Sequence, residues 1–177
     1  MASRWTWSCK ASWNSSNDGV VNKMSDWKRA TKEVPLDGLR PEMVTAINNH
    51  LEPFNLGPIL SDALMVMQTD SAKIKKRLFG SAETVYMGAV LTPGWLIWAI
   101  SGTKTQTTVL SAQLKDVVVQ DYAQTQFAKM IPDMGIQISG RFTDTSESVS
   151  AFIGLDDSSA GRKFRELLIQ AVQDAKK

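Results

Sequence analysis

Four cationic side chains lie within five consecutive positions of the sequence, at Lys73, Lys75, Lys76 and Arg77. They follow Ala63–Thr69, a run of strand length, and so fall in the loop after the first strand of a β-rich region. Several cations in one loop can bind an anionic headgroup, each contributing about 1 kcal/mol near an anionic surface. The alternative is a solvated charged turn, which is the commoner role of such runs. The run is the sharpest binding candidate in the sequence.

The sequence contains few residues suited to catalysis or metal binding. His50 is the only histidine, so a serine–histidine triad would have to use it, and Cys9 is the only cysteine. His50 falls near the end of a predicted helix with no identifiable partner, which favours a structural or solvent-facing role. No carboxylate pair or phosphate-binding glycine loop is recognisable. We therefore expect no catalytic residue, no metal and no cofactor.

Tryptophans supply the other contact candidates. Trp5, Trp7 and Trp13 lie among Ser, Asn and Lys residues with no helical period. They are expected to pack on an apolar surface of this chain or a partner, with insertion at a membrane interface as the alternative. Trp95 and Trp98 fall on opposite faces of one predicted strand. Trp98 is expected in the core, and Trp95, beside a turn, is the contact candidate.

Composition restricts the class of protein. A net charge of +2 over 177 residues is too small to indicate nucleic-acid binding by bulk electrostatics. The first residues lack the apolar run of a secretory signal, and no stretch approaches the roughly 20 apolar residues of a membrane-spanning helix. We therefore expect a soluble, cytoplasmic protein.

The first 59 residues are predicted to form an N-terminal extension, consisting of the tryptophan-containing tail and one or two helices. A helix is predicted over Asn22–Val34, because Met24 and Trp27 fall on one side and Pro35 ends it. A second is predicted over Pro41–Leu51, with proline at its first position.

From residue 60 to 177 the pattern predicts short antiparallel strands and a last helix. Pro93-Gly94 favours a type II turn between two strands that form a hairpin, and Gly140 indicates a bulge or a close approach. Residues 158–176 carry an apolar stripe at offsets 3, 4, 7, 8 and 11 from Phe164, which predicts a surface helix packed on one face.

This order of elements resembles the pleckstrin-homology-like (PH-like) family. The segments 88–98 (GAVLTPGWLIW) and 109–117 (VLSAQLKDV) are similar to strand patterns of its GRAM and bacterial PH-like members. Pro93-Gly94-Trp95 departs from the charged turn usual there. The resemblance implies an α+β, mainly antiparallel fold: a seven-strand barrel or sandwich capped by the C-terminal helix.

The resemblance also implies a binding module without a conserved reaction. We therefore expect a non-enzymatic binding or assembly module that recognises protein or peptide surfaces through a sheet edge, hairpin tips or the helix flank. The alternative is a peripheral membrane module that binds anionic lipid headgroups through the 73–77 loop. No nucleic acid is expected as a partner, and self-association is a further alternative.

Overall fold

A computed structural model describes residues 25–74 and 83–177, and within them the chain forms eight strands and two α-helices. The strands are β1 (Trp27–Glu33), β2 (Met65–Lys73), β3 (Thr84–Leu91), β4 (Trp95–Gly102), β5 (Thr105–Gln113), β6 (Val117–Asp121), β7 (Gly135–Arg141) and β8 (Ser148–Gly154). The helices are α1 (Pro41–Leu51) and α2 (Ser159–Asp174).

Two antiparallel sheets form the framework. One has the order β1-β2-β3-β4-β5 and the other β6-β7-β8, so within each sheet neighbouring strands are also consecutive in the sequence. The described strands form no closed barrel, and the two-sheet arrangement is compatible with a sandwich. The predicted α+β class with mainly antiparallel strands and a C-terminal helix is confirmed.

The main core lies between the two sheets and α2. Side chains alternate along each strand of the five-stranded sheet, so that Met65 and Met67 enter this core while Val66 faces the other way. Trp98 is fully buried there, and its ring meets that of Phe142 edge-to-face with centroids 5.2 Å apart. The core prediction for Trp98 is confirmed.

Helix α1 covers the opposite face of the five-stranded sheet. Met43, Ile47 and Leu51, four residues apart, are its buried side chains, and Pro41 occupies the first turn as predicted. The helix approaches closely over Gly88, where a Cβ atom would lie 3.1 Å from the Met43 sulfur of α1 and 2.9 Å from Leu39 just before the helix. Because both faces of the sheet are covered, its central strands are apolar on both sides.

Helix α2 begins at a side-chain cap and packs along one stripe. The Ser158 hydroxyl accepts a hydrogen bond from the Gly161 N–H at 3.2 Å, which is the usual function of an N-cap serine. Phe164 and Leu168 are fully buried. The helix predicted over 158–176 therefore forms with nearly those bounds. None of the helices in the described ranges combines the length and apolar character needed to cross a membrane.

The helix predicted over Asn22–Val34 is wrong in its described part, because Trp27–Glu33 is strand β1. It pairs with β2 from Trp27↔Lys73 to Glu33↔Met67, and that ladder satisfies the backbone groups that face β2. Alternate residues, Arg29 and Thr31, face inward, while the intervening residues are exposed. Burial of every second residue is a strand pattern, but it is not recognisable in the sequence because one of the inward-facing residues is the charged Arg29.

Two glycine predictions had opposite outcomes. Gly94 does not adopt the positive φ that a type II turn requires, so that turn prediction is wrong, and the Thr92 hydroxyl accepts the Trp95 N–H instead. Gly140 has φ +153°, and a Cβ atom there would overlap the carbonyl oxygen of Asp116. The close approach predicted at Gly140 is confirmed.

Candidate functional site

Three parts of the chain meet at one end of the five-stranded sheet. The Ile74 N–H, just after β2, donates to the carbonyl of Asp26 at 2.8 Å. The Ser25 hydroxyl donates to the Asp133 carboxylate at 3.0 Å. The start of the described chain therefore connects the end of β2 to the segment that precedes β7.

An ion pair fixes this junction. The Arg29 guanidinium of β1 donates from both terminal nitrogens to the two oxygens of Asp133, with Nη2 to Oδ2 at 2.8 Å. The side chains are only 7% and 11% exposed. A two-point contact between buried charges restricts both distance and orientation. The Arg29–Asp133 pair thus holds the segment before β7 against β1.

An exposed apolar surface lies in the segment that precedes β7. Four of the nine exposed large apolar side chains in the described residues occur within eight positions: Phe127 (48% exposed), Met130 (75%), Ile131 (64%) and Met134 (47%). We call these four residues the apolar segment. Such clustering marks interaction surfaces more often than scattered single residues do.

The backbone of the apolar segment is anchored beneath its exposed side chains. The phenol of Tyr122 donates to the carbonyl of Ile131 at 3.0 Å, and the Ile131 N–H donates to Phe127 O at 2.8 Å. Burial, assisted by the negative charge of Asp133, raises the pKa of Tyr122 above its ordinary value. The phenol therefore keeps its proton and remains a donor.

The basic run is only partly described. Lys73 Nζ lies 3.7 Å from the Glu83 carboxylate and 5.6 Å from the centre of the Trp27 ring, and Ile74 beside it is 46% exposed. The other three cations, Lys75, Lys76 and Arg77, lie outside the described residues, as do Trp5, Trp7, Cys9 and Trp13. Lys73 brings one cation of the run to the end where Asp26 meets Ile74.

Trp95 lies on the α1 side of the sheet, opposite to Trp98, in agreement with the predicted alternation. It is half-buried and packs against the cluster beneath α1. Its backbone N–H donates to the Thr92 hydroxyl at 3.0 Å. Trp95 therefore supports the packing of α1, with part of its side chain left accessible for contact.

His50 has partners that the sequence did not reveal. Its Nε2 lies 2.8 Å from the hydroxyl of Ser111 on β5, and its Nδ1 lies 3.5 Å from the carboxylate of Asp144 after β7. Ser111 Oγ also contacts Thr143 Oγ1 at 2.8 Å. This order of serine, histidine and aspartate is the one that serine hydrolases use.

One hydrogen-bonded chain runs through His50 Nε2, Ser111 Oγ and Thr143 Oγ1. The carbonyl of Ser111 also accepts from the Thr143 N–H at 2.8 Å and from Thr143 Oγ1 at 3.1 Å. Ser111 is moreover only 1% exposed, so the cluster ties α1, β5 and the β7–β8 connection together.

Within residues 25–74 and 83–177 there is no group of three or more His, Cys, Asp or Glu side chains that could hold a metal ion. Asp121 lies 3.8 Å from Arg165, and Asp133 pairs with Arg29, so these two carboxylates have separate basic partners.

Sequence reasoning missed both clusters for different reasons. Ser111 is 61 positions from His50, and their contact depends on where α1 lies on the sheet. The apolar segment had a signal, because offsets of 3, 4 and 7 from Phe127 are those of one helical face. Only Gln126–Lys129 forms a short 3-10 turn, with Pro132 close behind, so the stripe stays exposed.

Comparison of the chain with family models, with curated proteins and with solved structures gave no match. The resemblance to PH-like domains therefore stays a prediction.

Proposed function

We propose that this chain is a non-enzymatic PH-like binding or assembly module that recognises protein or peptide surfaces, with the apolar segment as its contact surface. The observation that carries the proposal is the exposure of Phe127, Met130, Ile131 and Met134 within eight residues. Exposed Met and aromatic side chains are enriched at protein interfaces and adapt to partners of different shape.

The order of the elements supports the PH-like part of the proposal. Strands β2–β5 lie in one sheet, β6–β8 lie in the other, and α2 closes the chain. These seven strands and the last helix are compatible with the seven-strand unit and C-terminal helix that the resemblance implies. Strand β1 and helix α1 would then be additions to the seven-strand unit.

The β1 edge of the larger sheet favours loop contacts over strand addition. The Thr31 N–H donates to the Asp156 carboxylate at 3.0 Å, and the Ser158 Oγ lies 3.3 Å from the Thr31 carbonyl oxygen. These groups at the start of α2 occupy the backbone positions that an added strand would use. We therefore favour side-chain contact through the β6–β7 connection, a mode that was not among the sheet edge, hairpin tips and helix flank predicted from the sequence.

The anchoring of the apolar segment also suits binding. The Arg29–Asp133 pair and the Tyr122–Ile131 hydrogen bond fix its backbone before any partner arrives. A preorganised surface loses less conformational entropy on binding than a loosely held one.

The test compares full-length chains in a pull-down of partners from cells of the source organism, followed by affinity measurement with each purified partner. Met130→Lys/Ile131→Lys should lose capture, because it places two charges in the apolar surface. Val118→Lys is the matched control, since Val118 on β6 is an exposed apolar residue (62%) outside the segment. Partners that bind both variants as tightly as the parent chain would contradict the proposal.

An anionic membrane is the second candidate, and one observation favours it. The exposed Ile74 and the cation of Lys73 lie at the end where Asp26 and Ser25 connect β2 to the apolar segment. Cations beside exposed apolar side chains are typical of peripheral membrane contact. Sedimentation with phosphatidylserine vesicles at low salt should then detect binding that Lys75→Glu/Lys76→Glu abolishes. Absence of binding at low salt would eliminate this candidate.

A further inference from the structure

We infer that the apolar segment is the docking site of this chain's own residues 1–24, which would compete there with a protein partner. The inference rests on the proposed function, because it assigns an occupant to the same surface. It makes the N-terminal segment an intramolecular ligand that lowers the apparent affinity for partners.

The first argument is where the described chain begins. Ser25 is hydrogen-bonded to Asp133 at 3.0 Å, and the N–H of Met134 donates to the same carboxylate at 2.8 Å. Asp133 stands between Ile131 and Met134 in sequence. The N-terminal segment therefore joins the described structure next to the apolar surface.

The second argument is composition. Residues 1–24 contain Trp5, Trp7 and Trp13, half of the six tryptophans of the chain, among Ser and Asn residues. A segment this short cannot build its own apolar core. Each indole offers roughly 150–250 Å² of surface for burial against another apolar surface. The exposed Met130 and Phe127 are chemically suited to this, since methionine sulfur and aromatic rings both pack well against indoles.

The third argument is reach. Trp13 is twelve positions before Ser25, and twelve extended residues span up to about 40 Å. The tryptophans can therefore reach the apolar segment from their own attachment point. A tether of this length gives an effective concentration in roughly the millimolar range, so even a weak contact is populated within one chain.

The experiment uses acrylamide quenching of tryptophan fluorescence in the full chain. The contribution of the three N-terminal indoles is the difference between the parent chain and Trp5→Ala/Trp7→Ala/Trp13→Ala. Met130→Asp/Ile131→Asp should raise the quenching constant of this contribution severalfold and shift its emission to the red. Val118→Asp, the matched control, should leave both unchanged. Equal quenching in the parent and the Met130→Asp/Ile131→Asp chain would overturn the inference.

Light scattering distinguishes docking within one chain from docking between two. A monomeric mass at the concentration of the quenching experiment supports the inference. A dimer that Met130→Asp/Ile131→Asp dissociates would overturn it in favour of a second copy as the occupant.

Partner capture separates this inference from the proposed function. Trp5→Ala/Trp7→Ala/Trp13→Ala should bind a purified partner severalfold more tightly, because the competing segment is lost. Capture that depends on Met130 but not on the three tryptophans would overturn the inference and leave the proposed function in place. Protected indoles together with capture independent of Met130 would overturn the proposed function and the competition, and leave only the docking of the N-terminal segment in place.

Discussion

The Asp156 carboxylate joins strand β1 to the start of helix α2, and Asp156→Asn tests that connection. Its Oδ2 accepts the Thr31 N–H at 3.0 Å, and its Oδ1 accepts the Ser158 hydroxyl at 2.6 Å and the Ser158 N–H at 3.2 Å. Asparagine keeps the shape but offers one accepting oxygen. Its amide nitrogen must therefore face either the Thr31 or the Ser158 donors.

The expected loss in the free energy of unfolding follows from these contacts. A buried hydrogen bond to a charged group contributes about 1.5–3 kcal/mol. Asp156 is half-buried, so solvent screening reduces each contribution. We expect Asp156→Asn to lose about 2 kcal/mol at pH 7, mainly from the mismatched donor.

The loss should depend on pH in a defined direction. Burial opposes ionisation, but hydrogen bonds from Ser158 and Thr31 outweigh it and lower the pKa of Asp156 below its usual value. The unfolded carboxyl, with a pKa of about 3.9, therefore takes up a proton before the folded one does. The stabilisation is complete above that pH and is lost as the pH falls through the lower folded pKa. The difference in the free energy of unfolding between the parent chain and Asp156→Asn should therefore shrink as the pH falls through this range.

Urea unfolding followed by circular dichroism at a series of pH values from 7 downward measures both effects. Asp157→Asn is the control, because Asp157 is 69% exposed and pairs with Arg162 at 3.4 Å on the surface. Asp157→Asn should lower the free energy of unfolding by less than about 0.5 kcal/mol. Equal losses in the two variants, or a loss from Asp156→Asn that stays constant with pH, would refute the reasoning.

Two further predictions concern the remaining connections of the fold. His50→Ala and Ser111→Ala should each destabilise the protein, and a double-mutant cycle by urea unfolding should give a coupling of about 1 kcal/mol; additive losses would show that their hydrogen bond contributes nothing. Gly140→Ala should cost at least about 2 kcal/mol, because the new methyl group overlaps the carbonyl of Asp116 at a positive φ. Gly94→Ala, with nothing within 4 Å, should change stability by less than about 0.5 kcal/mol, and similar losses in both glycine variants would contradict the close approach.

Features predicted correctly from sequence are those coded within a few residues. Helix α1 formed over the predicted Pro41–Leu51 because the proline start and the four-residue spacing of Met43 and Ile47 are local signals. The β3–β4 hairpin is likewise a local feature, with two apolar runs on either side of a turn. The predicted turn type was wrong. The Thr92 hydroxyl accepts a hydrogen bond from the Trp95 N–H, and the type II preference of Pro93-Gly94 does not take this bond into account.

The candidate site was predicted only in part. Lys73 is the last residue of β2 and not part of the loop predicted after Thr69. No local pattern connects it to Asp133, whose partner Arg29 is 104 positions away. The apolar stripe from Phe127 would normally indicate a buried helical face. Its exposure became visible only with the short turn and the anchoring contacts in place.

The sequence by itself determined the mainly antiparallel class, the bounds of α1, the terminal helix and the burial of Trp98, because side-chain periodicity and turn chemistry act between near neighbours. The tertiary structure alone decided that Trp27–Glu33 is a strand, since pairing with β2 and the contact with Asp156 satisfy its backbone and Asp133 compensates its buried arginine. It also decided that His50 contacts Ser111 and that Ser25 adjoins the apolar segment. Such contacts depend on packing between elements far apart in the chain, and local pattern contains no information about them.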